Sequence, residues 1–201
     1  MKKATSIVLL VFLSVTFLVA TLQKNEEMNR KLRGAIIMGK IDEVKSLIKA
    51  GVNVNDKFDV GQNRGLTPLI LVAQFGKADI GKLLIEAGAD VDVIFQSMTL
   101  LHLAAFSPAG NEAVTELFIA EGLDVNAKCT AEVRVEIEGV TPLHLAAATG
   151  KAAVAEALIR NGAEVNAKDK NGDTPLDLAK SKENEELADL LRKHGGISGR
   201  K

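Results

Sequence analysis

The 201-residue chain has no tryptophan and no tyrosine, so seven phenylalanines make up all of its aromatic content. It has no dominant charge either: 25 basic and 26 acidic side chains leave a formal charge of −1. Residues 1–20 contain Lys2 and Lys3 and no acid, and without them the balance is 23 against 26, or −3. Neither a basic stripe to neutralise phosphates nor a set of rings on which bases could stack is present, which argues against nucleic-acid binding. The single cysteine, Cys129, excludes an internal disulfide framework, and a lone thiol on a loop is ordinarily inert. The patterns G-x-x-x-x-G-K-[ST], G-x-S-x-G and H-E-x-x-H are missing, as are paired cysteines. Residues 169–174, DKNGDT, open like a calcium loop. The sixth place is Thr174 rather than glycine and the twelfth is Lys180 rather than glutamate, so the stretch reads as a turn. No cofactor and no metal site is expected.

What the chain does have is repetition. GLTPLILVAQFG begins at Gly65, MTLLHLAAFS at Met98, TPLHLAAATG at Thr141 and DTPLDLAKS at Asp173. The threonines Thr67, Thr99, Thr141 and Thr174 are 32, 42 and 33 residues apart. In the clearest copy, Thr141 suits an N-cap, Pro142 the first helical position, and His144 a bond back to the cap. Ala146, Ala147 and Ala148 favour helix and allow close approach, and Gly150 can end the helix in the left-handed region. A second phrase follows each copy: AGVNVN at 50–55, AGADVD at 87–92, EGLDVN at 121–126 and NGAEVN at 161–166. The apolar runs before these phrases have helical spacing, with Val154 and Leu158 one turn apart. Gly51, Gly88, Gly122 and Gly162 read as their C-terminal stops.

Two phrases recurring in fixed order at about 33 residues resemble the ankyrin repeat, most fully over Thr141–Ala179, and the resemblance covers roughly residues 30–196. It implies an all-α solenoid of about five helix–turn–helix units with β-turn fingers, at about 30–56, 65–93, 97–127, 139–167 and 172–196. Residues 197–201 form a tail. The first unit lacks the TPLH phrase and the last is heavily charged, as befits caps. The chain departs from the pattern at Ile70 and Asp177, which replace the histidine, and at Leu100, which replaces the proline. A catalytic group could not be exchanged so freely between copies, so His102 and His144 read as scaffold. Asp177 suits a helix N-terminus electrostatically.

The N-terminus is of another kind. Lys2 and Lys3 precede an uncharged run from Ala4 to Leu22, an export signal or signal-anchor over 1–22, followed by a short linker at 23–29. Cleavage after Ala20 would place Leu18 where a small residue is preferred. An uncleaved helix of 19 residues at about 1.5 Å each could just span a hydrocarbon core of about 30 Å. The whole resembles exported bacterial ankyrin-repeat proteins, periplasmic or held in the inner membrane by residues 4–22.

Interruptions of the repeat carry the most specific information, because loops carry recognition. Asn55 to Thr67 is 12 residues, Asn126 to Thr141 is 15, and Asn166 to Thr174 is 8. In the longest, AEVRVEIEG alternates in period two, which predicts an extended hairpin finger at 127–139; a tolerated insertion is the alternative. The resemblance implies a partner-binding concave face of finger tips and first-helix ends: Asn63, Arg64, Leu66, Gln74, Phe75, Phe95, Gln96, Met98, Phe106, Ser107, Arg134, Ile137, Glu138, Val140, Ala148 and Thr149. In a chain with so few rings, Phe75, Phe95 and Phe106 stand out with Met98, as anchors for a partner or as packing under the fingers. The expected function is therefore a non-catalytic, monomeric module for a protein partner, touching membrane through its N-terminal segment only. The alternatives are a metal-dependent or enzyme-associated factor using His102 and His144, and a secreted host-directed effector.

Overall fold

In the computed structural model, residues 2–60, 63–130 and 137–199 are described, with side chains for 17–58, 65–130 and 137–199. They form α1 (Lys2–Met38), α2 (Ile41–Lys49), β1 (Phe58–Val60), β2 (Asn63–Leu66), α3 (Pro68–Phe75), α4 (Ala78–Glu86), α5 (Leu100–Phe106), α6 (Glu112–Ala120), α7 (Pro142–Thr149), α8 (Ala152–Arg160), α9 (Pro175–Ser181) and α10 (Glu185–Lys193). Most of these helices have seven to nine residues, too few to persist alone in water. They are stabilised by stacking. The C-terminal turns of α1 pack on α3, α3 on α5, α5 on α7 and α7 on α9, while α2, α4, α6, α8 and α10 form a second row behind them. The four threonine-led helices thus lie side by side as equivalents. Small residues make the close approach possible: Ala73, Ala104, Ala105, Ala146, Ala147 and Ala179 are wholly buried.

Local chemistry at the helix ends follows the sequence. Thr67, Thr99, Thr141 and Thr174 are extended N-caps whose side chains accept from the N3 backbone N–H, with proline at the first position of α3, α7 and α9. Gly76 and Gly150 close α3 and α7 in the left-handed region. Unit 3 has no such glycine, and α5 ends at Ser107 in an extended conformation. The longer turn that follows is held from the next unit, where the Lys151 ammonium donates to the carbonyls of Ala104 (3.3 Å), Ser107 and Gly110 (3.1 Å).

Two features depart from the expectations above, and a third lies largely outside the described residues. Residues 23–29, expected as a linker, are helical: α1 runs unbroken from Lys2 to Met38 and enters the solenoid as the first helix of unit 1, burying Leu32, Ala35 and Ile36. The lengthened first finger is itself a hairpin, pairing Phe58 with Leu66 and Val60 with Asn63. In the third finger, residues 131–136, including Arg134, lie outside the described residues, and so the hairpin expected there is described only at its base. There Cys129 N–H donates to the Val140 carbonyl and Gly139 N–H to the Cys129 carbonyl, both at 2.9 Å. Among the described residues no helix is long and apolar enough to cross a membrane. Of the run 4–22, only the side chains from Phe17 onward are described, and Phe17, Leu18, Val19 and Leu22 are exposed.

Candidate functional site: the histidine staples and the first-helix face

The histidines occupy closed positions. His102 Nε2 lies 3.0 Å from the Val140 carbonyl oxygen, an acceptor only, so this nitrogen carries the proton. Nδ1 then accepts, from the Thr99 backbone N–H at 3.3 Å and the Thr99 hydroxyl at 2.8 Å. His144 repeats the arrangement, with Nε2 donating to the Asp173 carbonyl at 3.1 Å and Nδ1 accepting from Thr141 N–H (3.2 Å) and hydroxyl (2.8 Å). Each histidine thereby joins its own capping box to the closing residue of the next finger. Both side chains are wholly buried. Burial is the largest influence on His102 and, against the pull of the Val140 carbonyl, pushes its pKa down to about 4. Burial likewise lowers His144. A second ring proton would face the Thr99 or Thr141 N–H, donor against donor. Neutral, fully bonded and sealed, these imidazoles offer no lone pair to a metal and no proton to a substrate. Among the described residues no group of three or more histidine, cysteine or acidic side chains is placed to hold a metal.

Asp177 replaces the imidazole with a carboxylate because its neighbour offers donors instead of a carbonyl. Its Oδ2 accepts from Thr174 N–H and hydroxyl, both at 2.9 Å, and from Gly199 N–H at 2.7 Å; its Oδ1 accepts from the Ser198 hydroxyl. Burial alone would raise this carboxyl, but these hydrogen bonds together outweigh it and hold it well below the usual range. Residues 197–199 of the tail are therefore fastened to the last unit. Burial also pushes the Cys129 thiol up to about 11, so it stays protonated.

The second phrases form another ladder. Asn55 donates to the Gly88 carbonyl (2.9 Å) and accepts from Asp90 N–H (2.8 Å). Asn126 does the same with Gly162 (3.1 Å) and Glu164 (2.8 Å), and Asn166 with Gly195 (3.0 Å) and Ile197 (2.9 Å). Sequence reading saw the repeated asparagine only as part of a phrase. Its recurrence at the end of the phrase was the available signal.

The residues expected to meet a partner divide into groups. Leu66, Met98 and Val140 are buried, and Ser107 is buried with its hydroxyl donating to the Gln74 carbonyl. These four are corrections: their side chains serve the protein's own packing. Leu66 pairs with Phe58 in the hairpin, Met98 with Phe95 in a bridge, and the Val140 carbonyl accepts from Cys129 N–H. Phe75, Phe95 and Ile137 are half-buried and packed on the core, while Gln74, Gln96 and Ala148 are partly exposed and Glu138 and Thr149 are exposed. Asn63 and Arg64 lie on β2, but their side chains, like all of Arg134, are outside what is described. Phe106 is 53% exposed. Sequence reasoning missed Met38, which is 72% exposed at the corresponding end of α1. Met38, Phe75, Phe106 and Thr149 end α1, α3, α5 and α7, so neighbouring helices carry them as one row across units 1 to 4.

A family model for ankyrin repeats in three copies matches residues 32–129 and 101–199. The chain belongs to the ankyrin-repeat family. It is 31% identical over 161 residues to an ankyrin repeat protein of fowlpox virus (strain NVSL), covering 77% of this chain and 44% of that one. It is 38% identical over 104 residues to mouse Rabankyrin-5, covering 49% of this chain and 9% of that one. With the mouse ankyrin repeat, SAM and basic leucine zipper domain-containing protein 1 the identity is 32% over 107 residues, or 52% of this chain and 22% of the other. The chain spans less than half the length of each of these relatives. They are viral and mouse proteins, so the likeness to exported bacterial members rests on the N-terminal sequence alone. Ankyrin repeats are protein–protein interaction modules as a class and typically lack catalysis.

Proposed function

We propose that this protein is a non-catalytic binding solenoid, monomeric, exported and anchored by residues 4–22, that takes a protein partner on its first-helix face. The observation carrying the reading is the row Met38, Phe75, Phe106, in which two large apolar side chains stand more than half exposed in register. Exposed apolar rows of this kind mark contact surfaces. The sealed histidines argue against the metal-dependent or acid–base alternative. The test is recovery of partners from cell envelope by the native chain and by Phe106→Ala and Met38→Ala/Phe106→Ala variants. Selective loss of one partner with unchanged thermal stability supports the reading, and equal recovery of every partner refutes it.

One observation favours a second orientation. Lys24, Arg30, Lys31, Arg33 and Lys40 follow the apolar run closely, against Lys2 and Lys3 before it, and the more basic flank of an anchor ordinarily stays cytoplasmic. Protease added to intact spheroplasts decides the matter: digestion of the repeats supports export, and protection supports the cytoplasmic orientation.

A further inference from the structure

We propose that the N-terminal end of the solenoid is a basic face that docks on the phosphate headgroups of an anionic bilayer. The proposal rests on the anchor reading of residues 4–22 and goes beyond it by assigning a surface of the repeat domain itself to the membrane.

Three observations carry it. First, Arg30 and Arg33 of α1 and Lys57 of the first finger line one open cavity of about 360 Å³ with Asn29, Phe58 and one acid, Glu26. Lys31 is paired with Glu27 at 2.8 Å, whereas Arg30, Arg33 and Lys57 make no ion pair among the described residues. The Asp56 carboxylate beside the cluster is occupied by the amides of Asn29 (2.7 Å) and Asn53 (2.6 Å). The Asn29 bond ties the finger to α1, so the cations from both elements are held together.

Second, α1 is unbroken between the apolar run and this cluster. Arg30 and Arg33 lie eight and eleven residues beyond Leu22, so at a rise of about 1.5 Å they sit about 12 and 16.5 Å farther along the helix. The headgroup layer extends about 5–8 Å past the hydrocarbon edge, and the screening length at physiological salt is about 8 Å. Arg30 therefore falls within the reach of headgroup charge, and Arg33 at its limit, when Leu22 marks the hydrocarbon edge.

Third, charge is graded along the chain. On the solenoid side of the apolar run, residues 23–58 carry eight basic and five acidic side chains, and residues 59–201 carry fifteen and twenty-one, a balance of +3 against −6. An anionic surface attracts the end next to α1 and repels the far end. The solenoid is thus held upright on its helix, with the Phe106 row accessible to a partner.

The experiment uses the full chain incorporated into vesicles of phosphatidylcholine alone or with phosphatidylglycerol. A fluorophore is placed at the thiol of a Ser46→Cys variant, on the exposed side of α2, where the buried Cys129 does not compete. Energy transfer to labelled headgroups reports how close unit 1 sits to the bilayer. The expected result is transfer about twofold higher in the anionic vesicles, falling to the phosphatidylcholine value as salt rises from about 0.05 to about 0.5 M. The Arg30→Gln/Arg33→Gln/Lys57→Gln variant should lose that difference with its circular dichroism and incorporation unchanged. Equal transfer in both vesicle types, or a difference that survives the triple substitution, overturns the proposal. A chain retained by anionic vesicles only would refute the anchor and leave the basic face standing. Retention by neither would refute both.

Discussion

The interface between units 2 and 3 should be the weakest in the solenoid, and one substitution should repair much of it. The asparagine ladder is broken there: Asp92 stands where Asn55, Asn126 and Asn166 stand in the other units, and its carboxylate makes no bond to unit 3 among the described residues. A carboxylate can accept from a following N–H but has no donor for the Gly122 carbonyl. The histidine staple is missing too, because Ile70 fills that place without a donor for the Met98 carbonyl. Asp92→Asn should add the two bonds seen at Asn126, at 3.1 and 2.8 Å. Each such bond contributes about 0.5–1.5 kcal/mol net, and these are solvent-exposed, so about 1 kcal/mol for the pair is the expected gain. In a repeat array the gain belongs to one nearest-neighbour interface. It should appear in urea unfolding as a higher midpoint, in melting as a rise of about 2–4 °C, and in hydrogen exchange as slower opening at Gly122–Asp124. Asn126→Asp is the matched control and should lose about the same amount. No gain at 92 combined with a clear loss at 126 would refute the claim that the amide is what joins these units.

Acid should destabilise the protein in two stages. The folded-state pKa of His102 lies below its ordinary value, so the unfolded chain binds the proton first, and stability present above about pH 6.5 is lost as pH falls toward 4. By pH 5 this residue alone accounts for about 2 kcal/mol, and a His102→Gln variant should show a flatter stability profile between pH 7 and pH 5 in denaturant titrations. The depressed Asp177 carboxyl contributes stability above its ordinary range that is lost only at lower pH, so Asp177→Asn should flatten the curve below about pH 4. Ser97 is buried with a φ of 66°, and its hydroxyl has no partner among the described residues. Ser97→Gly removes both penalties and should stabilise by about 1–2 kcal/mol in urea unfolding. Gly110→Ala should cost more than about 2 kcal/mol, because a Cβ there would fall on the Ala104 carbonyl that Lys151 also binds.

The repeat was legible because each unit solves the same local problem with the same residues. Thr141, Pro142 and Gly150 carry their conformations with them, and Leu143, Ala146 and Ala147 need only a neighbour of the same shape. The concave face was less legible, because burial there is decided by the interruptions between units. Met98 and Val140 turn inward because Phe95 pairs with Met98 and Cys129 with Val140, contacts set by finger lengths that no periodicity encodes. The two substitutions of the histidine show the same division. Asp177 could be recognised as a capping residue from its place behind Thr174, but its match to the donors of Ser198 and Gly199 required the path of the tail. Ile70 could be recognised as a departure, but its meaning required knowing that the imidazole's outer nitrogen always meets the carbonyl before the next threonine. The histidine, the aspartate and the isoleucine therefore report what the following unit offers: a free carbonyl lone pair, a pair of donors, or an interface left without that bond. Two staples are lost at the same junction, Ile70 and Asp92 together. The side-chain bonds that remain there, Ser107 to the Gln74 carbonyl and Asn111 to the Gly76 carbonyl, lie at the ends of α3 and α5 next to Phe75 and Phe106, which sit on opposite sides of the joint. A partner bridging those two rings would bind across the joint and stiffen it. The stabilising Asp92→Asn change should then tighten partner binding if the bound solenoid holds the closed geometry, and weaken it if binding requires the joint to open.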